Sequence, residues 1–476
     1  MRNRRKIYFG VLLVGLAISS CKTPDLIKRD VNTTVPVSYK DSQDTVTSAN
    51  QVWKQFFKDP HLLALIDTAL HNNQELNITL QEIEVARNEI RARKGEYLPF
   101  VGLNAGAGVD KVGRYTRKGA LEATTEIEPG KEFPEPLQDY LFGFHVSWEL
   151  DIWKKLRNAR KSAVSRYLGT VEGKNFMVTN LVAEIANSYY ELLALDNQLR
   201  ILQRNIEIQS NALELVRVQK QAARVTELAV KRFEAQVLNT RGRQYEIKQQ
   251  IVETENRINF LVGRFSGRID RDSQSFDSLQ PVEIQTGIPS QLLGNRPDIR
   301  QAEMELAASK LDVKVARASF YPSVGISADL GIQAFNPAYL LKSPESILYS
   351  LAGDLVAPLI NRNGIKADYY SANAKQLQAM FAYEQRILNA YLEVANQLSK
   401  IENLEKSYDL KNKEVQALTE STEISNKLFT SARADYMEVL LTQREALESR
   451  FDLIEIRKQQ MNTMVNVYKS LGGGWR

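Results

Sequence analysis

The sequence predicts a mainly α-helical fold with additional membrane-type β-structure, arranged as two tandem repeats. Three observations support this fold class. Similar segments recur in the same order along the chain, each repeat holds two runs of alternating apolar and polar residues, and each also holds a long stretch without proline. Each repeat is therefore expected to form one β-hairpin and two long coiled-coil helices, with a shorter helix at its start.

The N-terminus has the pattern of a lipoprotein signal peptide, predicted over residues 1–20. A basic run from Arg2 to Lys6 precedes an apolar segment that ends at Cys21, the only cysteine. This apolar segment is too short to span a bilayer as a helix. A cysteine at the cleavage site is where a lipid is attached, so Cys21 is the predicted lipidation site. The alternative is an ordinary signal peptide with an incidental cysteine.

Charge and composition exclude several functional classes. The formal net charge is +5, and it falls to about +1 without the signal peptide, so nucleic-acid binding has no electrostatic support. The histidines His61, His71 and His145 are scattered, and the sequence shows no phosphate-binding loop or nucleophile motif. We expect that the protein is not an enzyme, and that it has no metal site and no cofactor other than the lipid on Cys21.

Matching segments define the two repeats. Residues 184–187 (Glu-Ile-Ala-Asn) recur as 393–396 (Glu-Val-Ala-Asn), and Ala223-Arg224 recurs at the same spacing as Ala432-Arg433. The predicted organisation after the signal peptide is a lipidated N-terminal segment with an equatorial region over 21–73, a first repeat over 74–263, a linker over 264–296 and a second repeat over 297–476.

Alternating apolar and polar residues predict four strands, over about 98–110, 140–151, 320–333 and 348–360. Strands of about 10–13 residues are long enough to cross a bilayer when tilted. Four strands cannot close a barrel, and lipid does not tolerate an open sheet edge. Three copies of the chain would supply twelve strands, so we predict a homotrimer in contact with membrane lipid. A soluble β-sandwich is the alternative, but it would need more strands.

The rest of each repeat is predicted to be helical. Proline-free stretches over 152–219 and 362–430 correspond to helices of roughly 100 Å at 1.5 Å per residue. Partner helices are expected over 226–262 and 435–470, where apolar residues recur at heptad spacing. A closed ring of such coiled coils would surround water.

Several motifs resemble the TolC-like outer-membrane efflux channels. The segment Trp148-Glu149-Leu150-Asp151-Ile152-Trp153 resembles their strand-to-helix junction. Asn295-Arg296-Pro297-Asp298-Ile299 is similar to the interdomain signature of the lipoprotein branch, which works with RND-type (resistance–nodulation–division) pumps. The ending Leu471-Gly472-Gly473-Gly474-Trp475 is similar to the family's usual end. The resemblance covers nearly all of residues 50–475.

The resemblance implies a trimer with a twelve-stranded outer-membrane barrel and a periplasmic helical barrel. A periplasmic adaptor (membrane fusion) protein would join it to an inner-membrane RND-type pump, and the channel would conduct exported small molecules passively, without catalytic residues. An exit duct for type I protein secretion is the alternative, although such ducts usually lack the cysteine at position 21. A further alternative, a periplasmic coiled-coil adaptor or structural tether, is disfavoured by the four membrane-length strands.

The turns between paired long helices are the predicted adaptor-docking tips, because the family docks its adaptor there. These turns are Ala223, Arg224, Val225 and Thr226 in the first repeat and Ala432, Arg433, Ala434 and Asp435 in the second. Thr226 and Asp435 are suited to cap the helices that follow. Relatives usually carry glycine near Ala223 and Ala432. The alternative is that the two arginines are solvated turn residues.

The periplasmic gate is predicted at Tyr436, Met437 and Leu441, by residue-by-residue match to the family's constriction. Met437 takes the apolar gate position, and Leu441 stands where many relatives have aspartate. A ring of apolar side chains seals a pore by dewetting. The alternative for Leu441, which lies next to the heptad seam, is a place in the core.

Five carboxylates are predicted to face the barrel lumen, namely Asp110, Glu149, Asp151, Asp329 and Asp354. Rings of carboxylates favour cations, so the predicted pore is mildly cation-selective. Asp110 and Asp151 lie at strand ends, where they would serve equally well as solvated caps.

Overall fold

The computed structural model describes residues 23–39, 44–273, 276, 279–431 and 433–476. The predicted signal peptide, Cys21 and Ala432 lie outside the described residues. The first part of the chain contains α1 (Trp53–Phe56), α2 (Pro60–Asn72), α3 (Gln74–Tyr97), β1 (Phe100–Asp110), α4 (Arg117–Glu122), β2 (Glu126–Glu128), β3 (Lys131–Glu132), β4 (Leu137–Leu150), α5 (Lys155–Gln221) and α6 (Glu227–Leu261). The second part contains α7 (Leu292–Asn295), α8 (Pro297–Ala318), β5 (Ser323–Ala334), β6 (Ile347–Val356), α9 (Asn363–Thr430) and α10 (Tyr436–Ser470).

Four of the strands form one antiparallel sheet in the order β1-β4-β5-β6. β1 and β4 are the hairpin of the first repeat, and β5 and β6 are the hairpin of the second. The pairing of β4 with β5 joins the two hairpins, with Gly143 opposite Gly331 at its middle. A Cβ atom on Gly143 would lie 2.8 Å from the Cα of Gly331, so this pair allows close strand approach. The predicted two-hairpin architecture is confirmed.

The sheet has one apolar and one polar face, as the alternation predicts. Residues opposite one another on neighbouring strands point to the same face, and His145 lies opposite Asp329, which lies opposite Ser350. The other face carries apolar side chains that are exposed in the single chain, among them Leu103, Phe144, Leu330, Tyr349 and Leu351. An exposed apolar face of this kind is typical of a surface that contacts lipid or a partner.

Three strand and loop boundaries differ from the sequence prediction. β4 begins at Leu137 rather than near 140, which adds Asp139 to the polar face. β6 ends at Val356 instead of 360, because Pro358 has no N–H for a strand ladder. The connection from β1 to β4 is not a plain loop but contains α4 and the small hairpin of β2 and β3.

Tertiary contacts divide the chain into two compact units. The described part of the first covers 23–30, 84–168 and 304–380 and contains the four-stranded sheet. The second covers 31–83, 169–303 and 381–476 and is helical apart from an isolated bridge. Each unit takes segments from both predicted repeats. The two sequence repeats therefore do not coincide with the two compact units. The predicted domain boundaries remain a prediction.

The core of the second unit packs around its short N-terminal helices. Asp59 caps α2 through Oδ1, which accepts hydrogen bonds from the N–H groups of His61 and Leu62. Its second oxygen accepts a 2.7 Å hydrogen bond from the hydroxyl of Tyr189 on α5. Phe56 stacks on Tyr468 of α10 at 4.0 Å between ring centroids. These contacts tie the N-terminal region to helices of both repeats.

Two buried arginines connect the linker to the long helices of the second unit. Arg271 pairs with Asp196 on α5 at 2.6 Å and with Glu255 on α6. Arg296 pairs with Asp298 at 2.8 Å and with Glu393 on α9 at 2.6 Å. Each guanidinium therefore fixes the linker to helices of one repeat, Arg271 to the first and Arg296 to the second.

Among the described residues, no helix combines the length and apolar character needed to cross a membrane. Over the same residues, no group of three or more His, Cys, Asp or Glu side chains is arranged to hold a metal ion.

Candidate functional site

Four of the five predicted lumen acids share the polar face of the sheet. Glu149 lies opposite Gly325, which lies opposite Asp354, and Asp329 is aligned with His145. Asp110 is at the end of β1, opposite Leu137. The regular register brings these carboxylates to one face although they come from four different strands.

Partners reduce the negative charge of this face. Lys118 lies 2.8 Å from the Asp110 carboxylate, and Lys155 lies 3.3 Å from Glu149. Asp329 Oδ1 lies 2.7 Å from Nδ1 of His145, and its Oδ2 accepts a hydrogen bond from Ser350. Within the described residues Asp354 has no hydrogen-bond or ion-pair partner. Asp354 is therefore the carboxylate of the set with the least compensated charge.

The alternation also places Asp139 on the polar face, which the sequence analysis missed. Asp139 accepts hydrogen bonds from the side-chain amide of Gln333 on β5 at 2.9 and 3.0 Å. The signal was present in the sequence, because continuing the β4 alternation by one step beyond residue 141 reaches residue 139.

Asp151 does not belong with the other acids, and its assignment to the lumen is corrected. It follows β4, and its side chain is only 1% exposed. Its two carboxylate oxygens accept hydrogen bonds from the backbone N–H groups of Leu156 and Arg157 at 2.9 and 3.0 Å. The Nε of Arg157 donates to the same carboxylate at 2.9 Å. Asp151 thus caps the start of α5, as the alternative had it, but the cap is buried rather than solvated.

The cap makes stability depend on the charge of Asp151. Burial alone would raise the pKa of the carboxyl group, but hydrogen bonds from Arg157 and Leu156 outweigh it and hold the pKa below its ordinary value of 3.8. A group with a lowered pKa stabilises the fold above its unfolded pKa, and this contribution is lost as the pH falls through the folded value.

We expect Asp151→Ala to lower the free energy of unfolding by about 1–2 kcal/mol at pH 7. The difference from the natural protein should begin to shrink as the pH falls below the unfolded value of 3.8, and it should disappear below the lower folded pKa. Denaturant unfolding of both proteins between pH 7 and pH 3 measures this. A difference that is independent of pH would contradict the role of the carboxylate charge.

The first predicted tip turn ends α5 with a Schellman-type arrangement built on alanine. The N–H of Arg224 donates to the carbonyl of Gln219 at 2.9 Å, and the N–H of Ala223 donates to that of Lys220. Ala223 has φ 54°, in the left-handed region that usually takes glycine at this place. In the second turn the N–H of Arg433 donates to the carbonyl of Leu428 at 2.8 Å. The two turns therefore share the long-range bond of this motif.

Thr226 and Asp435 occupy the N-cap positions of α6 and α10, as predicted. Neither side chain makes the capping hydrogen bond, however, so their predicted capping role is wrong in detail. Instead, the carbonyl of each accepts a bond from the residue three positions on, at 3.1 Å. Arg224 and Arg433 are exposed to solvent at the turn surfaces.

We expect Ala223→Gly to stabilise the first turn by about 0.5–1 kcal/mol, because glycine adopts a positive φ without a steric penalty. Ala222→Gly is the matched control, since residue 222 does not have a positive φ. It should be neutral or destabilising. Denaturant midpoints of the two variants test the expectation, which fails if both changes have the same sign.

The predicted gate residues lie at the start of α10, on different sides of the helix. Tyr436 is half-buried and packs against a cluster of apolar side chains, whereas Met437 and Leu441 are 39% and 45% exposed. The core positions beside them are taken by Val439, which is 1% exposed, and by Leu440. Leu441 is thus a surface residue in this chain, and the alternative that it belongs to the core is not supported.

One apolar cluster joins the first predicted tip to α10 and to the end of α9. Its buried members come from α5, α6 and α10, and the partly buried Val225, Phe429 and Tyr436 pack against it. Val225 belongs to the first turn, Phe429 to the end of α9 and Tyr436 to the start of α10. A guanidinium nitrogen of Arg232 on α6 lies 3.3 Å from the sulfur of Met437. The first turn therefore packs against residues that come just before and just after the second turn in the chain.

Helices of the second unit keep heptad stripes of apolar residues exposed. On α6 these are Leu238, Tyr245 and Val252, seven residues apart. On α9, Leu410 and Ile424 are two heptads apart and are 69% and 57% exposed. Apolar residues at heptad spacing normally pack against another helix. These stripes have the pattern of coiled-coil seams that a single chain leaves open.

A sheet with one exposed apolar and one acidic face, carried by long paired helices, is typical of outer-membrane channel proteins. The sequence profile described as "Outer membrane efflux protein" matches residues 65–264 and 288–473. The chain belongs to the outer membrane efflux protein family. It is an efflux component of the outer membrane, and the predicted resemblance to TolC-like channels is confirmed.

Relatives cover nearly the whole chain. The chain is 28% identical to the pyoverdine export outer membrane protein OpmQ of Pseudomonas aeruginosa, over 89% of its own length and 87% of that protein. It is 24% identical to the probable outer membrane lipoprotein SilC of Salmonella typhimurium, over 93% of each chain. The crystal structure of the open state of the MtrE outer membrane channel of Neisseria gonorrhoeae has a TM-score of 0.82 at 22% identity, covering 95% and 99% of the two chains. The fold is therefore shared along its full length.

Proposed function

We propose that a trimer of this chain is the exit duct of a tripartite RND-type efflux pump. Three copies would form a twelve-stranded barrel in the outer membrane and a helical barrel in the periplasm. A periplasmic adaptor would connect the duct to an inner-membrane RND-type pump. The duct would conduct exported small molecules, such as drugs and toxic compounds, passively to the exterior.

The observation that carries this proposal is the set of unpartnered edges and seams in the single chain. Among the described strands, β1 and β6 each pair on one side only, so the sheet has two open edges. Its apolar face is exposed, and α6 and α9 expose heptad stripes. A second and third copy would pair the sheet edges and cover the seams in one symmetric arrangement.

Cys21 is the proposed lipid attachment site. The support is the sequence pattern around it and the description of SilC as a probable outer membrane lipoprotein. A lipid on Cys21 would anchor the N-terminal segment in the outer membrane. Mass spectrometry of the mature N-terminus would show the added lipid, and an unmodified thiol at Cys21 would rule it out.

For adaptor docking we propose the two turns, 223–226 and 432–435. What supports this is the shared 6→1 hydrogen bond at the ends of α5 and α9 and the exposure of Arg224 and Arg433. Tyr436, which packs against the apolar cluster beside these turns, and the exposed Met437 and Leu441 are the proposed gate. Docking at the turns would act on the gate through this shared packing.

A photo-crosslinking residue at Arg433 tests the proposed partner. In cells it is expected to capture a periplasmic adaptor of an RND-type pump, identified by mass spectrometry, while the same probe at the exposed Arg91 on α3 captures none. Capture of a type I secretion adaptor would indicate instead that the duct exports protein. Absence of any adaptor at Arg433, with expression and trimer formation intact, would remove the turns from the docking site.

The acidic sheet face is proposed to make the pore mildly cation-selective. We expect Asp354→Asn to reduce the cation-to-anion permeability ratio more than Asp110→Asn, because the charge of Asp110 is already compensated by Lys118. Reversal potentials in planar bilayers under a salt gradient measure this ratio. Anion preference of the natural channel would contradict the proposal.

A further inference from the structure

A polar cavity of about 710 Å³ lies between α5, α9 and α10 in the second unit. Its lining includes the arginines Arg200, Arg204 and Arg450 but only one acidic residue, Glu423. Formal charge alone therefore gives the cavity an excess of two positive charges. Such an excess attracts anions and repels cations.

In the part of the chain that the structure describes, two of these arginines have no acidic partner. Arg450 is half-buried and donates a hydrogen bond from Nη2 to the hydroxyl of Thr419 at 3.0 Å. Within the described residues, neither Arg450 nor Arg204 forms an ion pair with a carboxylate. Each guanidinium thus keeps N–H groups that can bind a planar or tetrahedral oxyanion through two parallel hydrogen bonds.

The wall of the cavity also contains buried amides with unused hydrogen-bonding capacity. Gln443 is 4% exposed, its Oε1 has no partner, and its Nε2 makes only a 3.4 Å contact to Asn426. Asn205 likewise has a buried Oδ1 without a partner. A half-turn of a side-chain amide exchanges its oxygen for an NH₂ group, which can donate to an anion. Buried groups without partners are costly, so a ligand that satisfies them would bind favourably.

We propose that this cavity binds a small oxyanion, a phosphate or carboxylate group. Arg204 and Arg450 would hold it, with Gln443 and Asn205 donating from the wall. The site is distinct from the proposed gate and tips, and it does not depend on the proposed function of the channel. Because α5 belongs to the first repeat and α9 and α10 to the second, the bound anion would bridge helices of both repeats.

Isothermal titration calorimetry of the purified full chain in detergent tests the site, with inorganic phosphate and citrate as separate probes. Both are compared with chloride at constant ionic strength. We expect saturable binding of phosphate that Arg450→Gln and Arg204→Gln each weaken about tenfold or more, because the charged fork is lost. Binding of citrate as well would assign a site that accepts carboxylates, provided the same variants weaken it.

Arg444→Gln is the matched control, because Arg444 is exposed on the same helix and does not line the cavity. It should leave the affinity unchanged. Arg450→Lys should bind phosphate more weakly than the natural chain does, but more tightly than Arg450→Gln. If Arg450→Gln does not fold, Arg204→Gln at the exposed arginine gives the answer. No saturable heat with either anion, or equal weakening by Arg444→Gln, would overturn the proposal.

Discussion

Replacing Arg296 with methionine is expected to lower the free energy of unfolding by about 3–5 kcal/mol. Arg296 is 5% exposed and donates four hydrogen bonds to three groups of the second unit. Its Nε and Nη2 bind the two oxygens of Asp298 at 3.0 and 2.8 Å. Its Nη1 binds Glu393 at 2.6 Å and the backbone carbonyl of Ser470 at 3.0 Å.

The large effect is expected because the substitution leaves a buried carboxylate without its partner. Asp298 is 5% exposed, so without Arg296 its carboxylate would be buried with no compensating charge. Removing one partner of a buried ion pair costs more than the pair itself contributes. The double variant Arg296→Met with Asp298→Asn should therefore regain part of the loss, because the stranded charge is gone.

Denaturant unfolding of the purified protein, followed by far-ultraviolet circular dichroism, measures this prediction. Arg217→Met is the control, since Arg217 forms only exposed pairs with Glu214 and Glu234. Exposed pairs of this kind contribute about 0–1 kcal/mol. If Arg296→Met destabilises the protein no more than Arg217→Met does, the buried ion pairs of Arg296 do not hold the linker to the helices.

Replacing Met437 and Leu441 together with serine is expected to raise the closed-state conductance of the channel several-fold. Both side chains are exposed in the single chain, and three copies of each would form apolar rings at the proposed constriction. Water leaves a narrow apolar constriction, which blocks ions, and hydroxyl groups keep it wet. Single-channel recording in planar bilayers measures the conductance.

Leu410→Ser is the control for the gate. Leu410 is also an exposed apolar residue, at 69%, but it lies on α9 outside the predicted gate. It should leave the closed-state conductance unchanged. Trimer content of every variant is checked by size-exclusion chromatography with light scattering. An unchanged conductance in the double variant, with normal trimers, would place the gate elsewhere.

A third variant separates the effect of the apolar gate side chains from the effect of a neighbouring arginine. Arg232 contacts the sulfur of Met437, so it positions a gate residue without being apolar itself. Arg232→Gln should change conductance less than the double serine variant. An equal or larger change would indicate that electrostatics at this constriction, rather than dewetting, closes the pore.

Local patterns predicted much of the candidate site. The side on which Glu149, Asp329 and Asp354 lie follows from strand alternation, because the backbone pleat sends successive side chains to opposite faces. The positions of the tip turns follow from the spacing of the repeats and the ends of the helical stretches. Asp151 was placed wrongly, because alternation cannot tell where a strand stops and a buried helix cap begins.

The amino-acid sequence was sufficient to predict the two hairpins, the long helices, the acidic strand face and the family, since each depends on residues close together or on motif order. The three-dimensional structure was needed to find the pairing of β4 with β5, the partners of Arg296, the packing of the first turn against α10 and the arginine-lined cavity. These features join residues far apart in the chain. Their contacts depend on how whole helices and strands pack, which no local periodicity specifies.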